Sequence, residues 1–142
     1  MKKLLIPFLL LISFFTFADS HEIHLKCKTG FFTSSEFKQI GEYYYLDGIQ
    51  YPETTKKIND MGTLWATIRE VQNKDSTLLL RQFKKNLERG NIAAKVQSFE
   101  VNLEDLSFVK STTSIKYSKL KDKLSQKLLD FWLNSSGKCE RQ

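Results

Sequence analysis

The chain has 142 residues, with 22 Lys and Arg against 16 Asp and Glu, for a formal charge of +6. That length makes one domain with a real core and excludes a multi-domain enzyme. A hydrophobic content of 41% without heptad patterning excludes a disordered chain and a coiled coil.

Residues 1–18 begin Met-Lys-Lys, run apolar from Leu4 to Phe17 and end at Ala18. A basic start, a short apolar stretch and a small residue at its end predict a secretory signal peptide. Cleavage is expected after Ala18, with a cut after Ser20 as the nearest alternative. A run this short, interrupted by Pro7, falls below the ~20 residues of a membrane-spanning helix. Without the leader, which holds Lys2 and Lys3 and no acid, 20 basic and 16 acidic side chains remain. The expected product is an exported, periplasmic or secreted, single domain over residues 19–142 with no transmembrane segment.

Along that domain, Ile23, Leu25 and Cys27 alternate with polar residues, which predicts a half-buried strand from Glu22 to Thr29. The aromatic run Tyr43-Tyr44-Tyr45-Leu46 closes a second strand beginning at Phe37, and Asp47-Gly48 is a turn signal. The polar stretch from Tyr51 to Gly62 reads as a loop. Leu64 to Val71 alternates again, with Leu64, Ala66 and Ile68 on one face and Trp65, Thr67 and Arg69 on the other. Thr77 to Gln82 could be a strand. However, Leu79, Phe83 and Leu87 recur every four residues ahead of Gly90, and the expectation is a short helix. Ile92 to Leu103 and Leu106 to Tyr117 read as two further strands joined by a Glu104-Asp105 turn. Ser118 is a candidate N-cap, and Leu120, Leu124, Leu128 and Phe131 or Trp132 form one stripe beside Lys119, Lys123 and Lys127. This predicts a C-terminal amphipathic helix packed on the sheet. The expected fold class is therefore α+β, a curved antiparallel sheet of five or six strands covered by that helix.

Chemistry-bearing residues are few. Cys27 and Cys139 are an even pair, and in an oxidising compartment they are expected to form a disulfide. The alternative is a pair of reactive or metal-binding thiols, for which there is no Cys-x-x-Cys. His21-x-x-His24-x-x-Cys27 is the one metal-like spacing, and on an extended chain its members do not converge. The two histidines lie near the expected mature terminus, a poor place for a catalytic base, and no other His could serve a nucleophile. Adjacent Glu104 and Asp105 on a turn read as solvated residues rather than a glycosidase pair. No Gly-rich loop precedes a helix. No catalytic residue, metal or cofactor is assigned, and the protein is expected not to be an enzyme. Asn134-Ser135-Ser136 is a glycosylation sequon, relevant only in a eukaryotic secretory pathway.

The basic residues Lys84, Lys85 and Arg89, with Lys119, Lys123 and Lys127, are the candidate binding surface. Such patches steer acidic partners: acidic proteins, anionic polysaccharides or lipid head groups. Export argues against nucleic acid as the partner.

Ile40-Gly41-Glu42-Tyr43-Tyr44-Tyr45-Leu46-Asp47-Gly48-Ile49, the strand Ala94 to Asn102, the hairpin strand Leu106 to Tyr117 and the final Cys139 together resemble the bacterial surface-adhesin protein E family in order and spacing. The resemblance spans most of residues 37–139. It implies an exported antiparallel half-barrel with a C-terminal helix, and an adhesin-like role in binding host matrix or serum proteins. Leu103 stands where the family carries a mid-chain cysteine, so Cys27 would replace it as partner of Cys139. The lipid-attachment cysteine of the adhesin is also absent, and no ligand-binding residue transfers. The expected function is an exported, non-catalytic binding protein with a protein or acidic polysaccharide ligand; the alternative is a periplasmic immunity protein or enzyme inhibitor.

Overall fold

The computed structural model describes residues 21–92, 95–120 and 123–142, with residues 115–133 described in backbone only. The leader over residues 1–18 lies outside the described residues. Ten strands follow in order: β1 (Ile23–Lys28), β2 (Ser34–Ile40), β3 (Tyr43–Leu46), β4 (Ile49–Tyr51), β5 (Glu53–Ile58), β6 (Leu64–Lys74), β7 (Thr77–Asn86), β8 (Lys95–Asn102), β9 (Ser107–Leu120) and β10 (Lys123–Arg141). They form one antiparallel sheet in the order β4-β3-β2-β1-β10-β9-β8-β7-β6-β5. The two edge strands, β4 and β5, are consecutive in the chain and separated by Pro52, so the sheet curls into a nearly closed barrel.

The α+β expectation is overturned, since the described residues are all-β and contain no helix. The stretch expected as a C-terminal helix instead completes β9, up to Leu120, and forms β10 from Lys123. A spacing of four residues is a multiple of two, so the Leu120/Leu124/Leu128 and Lys119/Lys123/Lys127 stripes suit a strand as well as a helix. Pairing decides between them: fourteen register pairs join β9 and β10. The expected helix from Leu79 to Leu87 fails for the same reason. Leu78 and Leu80, two residues apart, are the buried positions of β7. The expected loop after Tyr51 contains β5, whose six residues are all exposed. A charged edge strand lacks the apolar alternation that reveals an interior one. The expected single strand over Phe37–Leu46 is a hairpin, broken at Gly41, which takes the left-handed φ of +60°. Asp47 and Gly48 both have positive φ (52° and 79°), as a two-residue hairpin turn requires.

The core occupies the barrel interior. Leu25, Phe37, Leu46, Leu78, Leu80, Phe99, Val101 and Phe108 are buried there with both cysteines. Four aromatic rings span the interior: Tyr44 stacks on Phe37 at 6.3 Å, Phe37 on Phe99 at 6.4 Å and Phe99 on Phe108 at 5.8 Å between centroids. Phe37 stands on β2 and Phe99 on β8, which are not neighbours in the sheet. Their contact therefore crosses the barrel and holds opposite walls together.

Between those walls β1 meets β10 through only three register pairs, Leu25–Arg141, Lys26–Glu140 and Cys27–Cys139. The third is a disulfide, closing a sequence separation of 112 residues. Beside it, Glu36 of β2 carries an ion pair with Lys38 and a contact with His24 of β1, which hold its carboxyl below the ordinary glutamate range.

Replacing both cysteines with serine is expected to destabilise the protein by about 2–5 kcal/mol in denaturant unfolding. Alkylation of the unfolded, non-reduced protein should label neither thiol. Because the Glu36 carboxyl is depressed in the folded state, its contribution is present above the ordinary glutamate range and lost as pH falls through the depressed value. Glu36→Gln should therefore lower stability slightly near neutrality, where the contacts with Lys38 and His24 are lost, and leave it unchanged at low pH, which flattens the acid side of the stability profile.

Candidate functional site

In an antiparallel barrel, alternate connections lie at the same end. The β1–β2, β3–β4, β5–β6, β7–β8 and β9–β10 connections share one end, and the remaining four share the other. The connections at the second end contain Glu42, Asp75, Glu104 and Asp105 and no Lys or Arg. All six basic residues expected from the sequence fall at the first end. Lys84 and Lys85 close β7, Arg89 lies in the connection after it, and Lys119, Lys123 and Lys127 lie on the β9–β10 hairpin.

The topology thus gathers two groups thirty or more residues apart in sequence, although neither stands on a helix as expected. Among the described residues, pairing of β9 with β8 ends at Ser114–Lys95, beyond which β9 and β10 continue as a two-stranded arm. In that arm Lys119 is opposite Leu124, Lys123 opposite Leu120 and Lys127 opposite Lys116.

Successive strand residues face opposite sides, so Lys84 and Lys85 part company. Lys84 shares the interior face with Leu78, Leu80 and Gln82, and Lys85 lies on the outer face. With Lys57, Asn59, Asp60, Trp65 and Thr67, Lys84 lines a cleft of about 430 Å³. Lys57 is the register partner of Trp65 on β5, and Thr67 that of Lys84 on β7. Trp65 is therefore opposite Lys57 on β5 and diagonal to Lys84 on β7, where its direct partner is Asn86, and one carboxylate, Asp60, lines the same cleft. Lys57 was missed because it falls in the expected loop. The signal that could have found it is the Trp65/Thr67/Arg69 face, whose polar residues needed a partner strand.

Local hydrogen bonds hold the turns of this end. The Asn86 side-chain oxygen accepts the backbone N–H of Glu88 and Arg89 at 3.0 and 3.1 Å, fixing the turn that carries Arg89. Gly90 takes φ +69° there, and its N–H donates to the Asn86 carbonyl at 2.8 Å.

A row of polar side chains divides this end from the core. Arg69 donates to Glu53 at 2.6 Å and to Gln82 at 2.8 Å, and Gln82 donates to Gln97 at 3.4 Å. These four are successive register partners across β5, β6, β7 and β8. Above them, a cavity of about 160 Å³ lies between Asp47, Tyr51, Gln97, Phe99 and Lys110. Lys110 donates to Ser35 at 3.3 Å, and Ser35 donates to Asp47 at 3.2 Å, so a buried hydroxyl links ammonium to carboxylate. Burial pushes the Tyr51 phenol up from its ordinary value.

The structure leaves the remaining candidates apart. Cys27 is bonded to Cys139 and supplies no thiolate to His24, whose ring contacts Glu36. No cluster of His, Cys, Asp or Glu suited to a metal occurs among the described residues. Glu104 accepts a hydrogen bond from Ser76, while Asp105 bonds Ser107 and pairs with Lys138, which leaves the two carboxylates engaged separately. Comparison of the chain with protein-family models, with curated proteins and with solved structures finds no match in any of the three.

Proposed function

We infer that this is a non-catalytic binding protein that engages an acidic macromolecule through the basic end of its barrel. The observation that carries the reading is the open cleft that Trp65 shares with Lys57 and Lys84. Two ammonium groups sharing a cleft with an indole suit an anionic group attached to a flat apolar surface, as in an acidic polysaccharide or an acidic protein segment. Arg89 and the lysine-bearing arm extend the same charge beyond the cleft. The export signal read in residues 1–18 and the resemblance to an adhesin family agree with a role in binding outside the cytoplasm.

Heparin and immobilised matrix protein are the probes. Retention should fall as salt rises, and Lys57→Glu with Lys84→Glu should weaken it by about tenfold while the protein stays folded. Lys57→Arg with Lys84→Arg should preserve it. Retention that ignores both salt and the charge reversals would sink the reading.

A further inference from the structure

The β1–β2 connection exposes two adjacent phenylalanines almost completely, Phe31 at 97% and Phe32 at 99%. Water-exposed apolar residues are ordinary when scattered, but two rings side by side at the tip of a hairpin form a projecting apolar point. The tip is held in place rather than left loose. Thr29 N–H and Gly30 N–H both donate to the Thr33 carbonyl, at 3.0 and 3.2 Å, and the two threonine hydroxyls are bonded at 3.2 Å.

A second apolar tip lies at the same end of the barrel. Met61, 86% exposed, sits in the β5–β6 connection, where the Asn59 side chain accepts the N–H of Met61 and Thr63 at 3.1 and 2.8 Å. Both tips stand among the basic residues. At the same end Lys28, Lys57, Lys84, Lys85 and Arg89 stand against Asp47, Asp60 and Glu88.

We propose that this end of the barrel docks on an anionic lipid bilayer, with Phe31, Phe32 and Met61 entering the interface and the lysines facing acidic head groups. The inference rests on the acidic-partner reading above and names the partner. A polysaccharide satisfies the lysines but offers no apolar phase for three exposed apolar side chains at two tips, whereas a bilayer surface supplies both. Apolar insertion and head-group attraction are then additive and separable, because lipid charge governs one and ring burial the other. The acidic connections of the opposite end, with Glu42, Asp75, Glu104 and Asp105, orient the barrel with that end away from the membrane.

The test is co-sedimentation with vesicles of phosphatidylcholine alone and of phosphatidylcholine with phosphatidylglycerol, read beside heparin retention. It uses the chain from Asp19 onward, which contains the whole described barrel and lacks the apolar leader. Binding is expected to the anionic vesicles and to be weak on the neutral ones. Phe31→Ser with Phe32→Ser should lower vesicle binding by about tenfold or more while heparin retention stays intact, since these rings contribute no burial to the folded chain. Phe32→Trp should give an emission blue-shift on anionic vesicles and quenching by brominated lipid. Vesicle binding that is absent, or unaffected by the serine variant, overturns the proposal. Heparin retention that persists alongside either result leaves the acidic-partner reading standing, and loss of heparin retention in the cleft variants alone tests that reading. Failure on vesicles together with stoichiometric capture of an added acidic protein through Phe31 and Phe32 would likewise overturn the bilayer in favour of a protein partner.

Discussion

The barrel depends on a seam three residue pairs long. On one side of it lie β4, β3, β2 and β1, and on the other the six strands from β10 to β5; β1 and β10 join them only at Leu25–Arg141, Lys26–Glu140 and Cys27–Cys139. Backbone hydrogen bonds over so short a ladder would fray. The disulfide converts the seam into a covalent joint at a buried position, and it does so between residues near opposite ends of the domain. Cross-linking across such a separation removes a large part of the freedom of the unfolded chain. The aromatic stack performs the same task without a covalent bond, since Phe37 reaches across the interior to Phe99. Seam and stack together let a sheet with unpaired edges behave as a barrel.

That construction leaves the interior with two characters. Toward the acidic end it is apolar and closed by aromatic rings. Toward the basic end it passes through the Glu53–Arg69–Gln82–Gln97 row and opens into the cleft of Trp65, Lys57 and Lys84. The row satisfies polar groups that would otherwise be costly to desolvate, and so allows the inward face of β7 to change from Leu78 and Leu80 to Gln82 and Lys84 within one strand. Charged and polar side chains can then occupy the same sheet as the core, at the end where the strands run out. The exposed tips at Phe31, Phe32 and Met61 are held by short-range hydrogen bonds within their own connections.

Much of the sheet was legible because alternation is a local property. Ile23, Leu25 and Cys27, or Phe99 and Val101, announce a buried face within a few residues. The helix expectations failed at Leu120, Leu124 and Leu128 and at Leu79, Phe83 and Leu87, where a spacing of four satisfies both periods. Only the partner strand distinguishes them. β5 was illegible for the opposite reason: an edge strand with Glu53, Lys56 and Lys57 exposed has no apolar face to show.

The residues alone determined the cysteine pair, the turn at Asp47-Gly48 and the basic character of the two lysine groups. Tertiary structure decided what those features add up to. Strand order brought Lys84 and Arg89 to the same end as the β9–β10 arm, separated Lys84 from Lys85, and set Lys57 beside Trp65. Composition and spacing report what a segment can bury, whereas which segments become neighbours depends on non-local pairing that no single window of sequence contains.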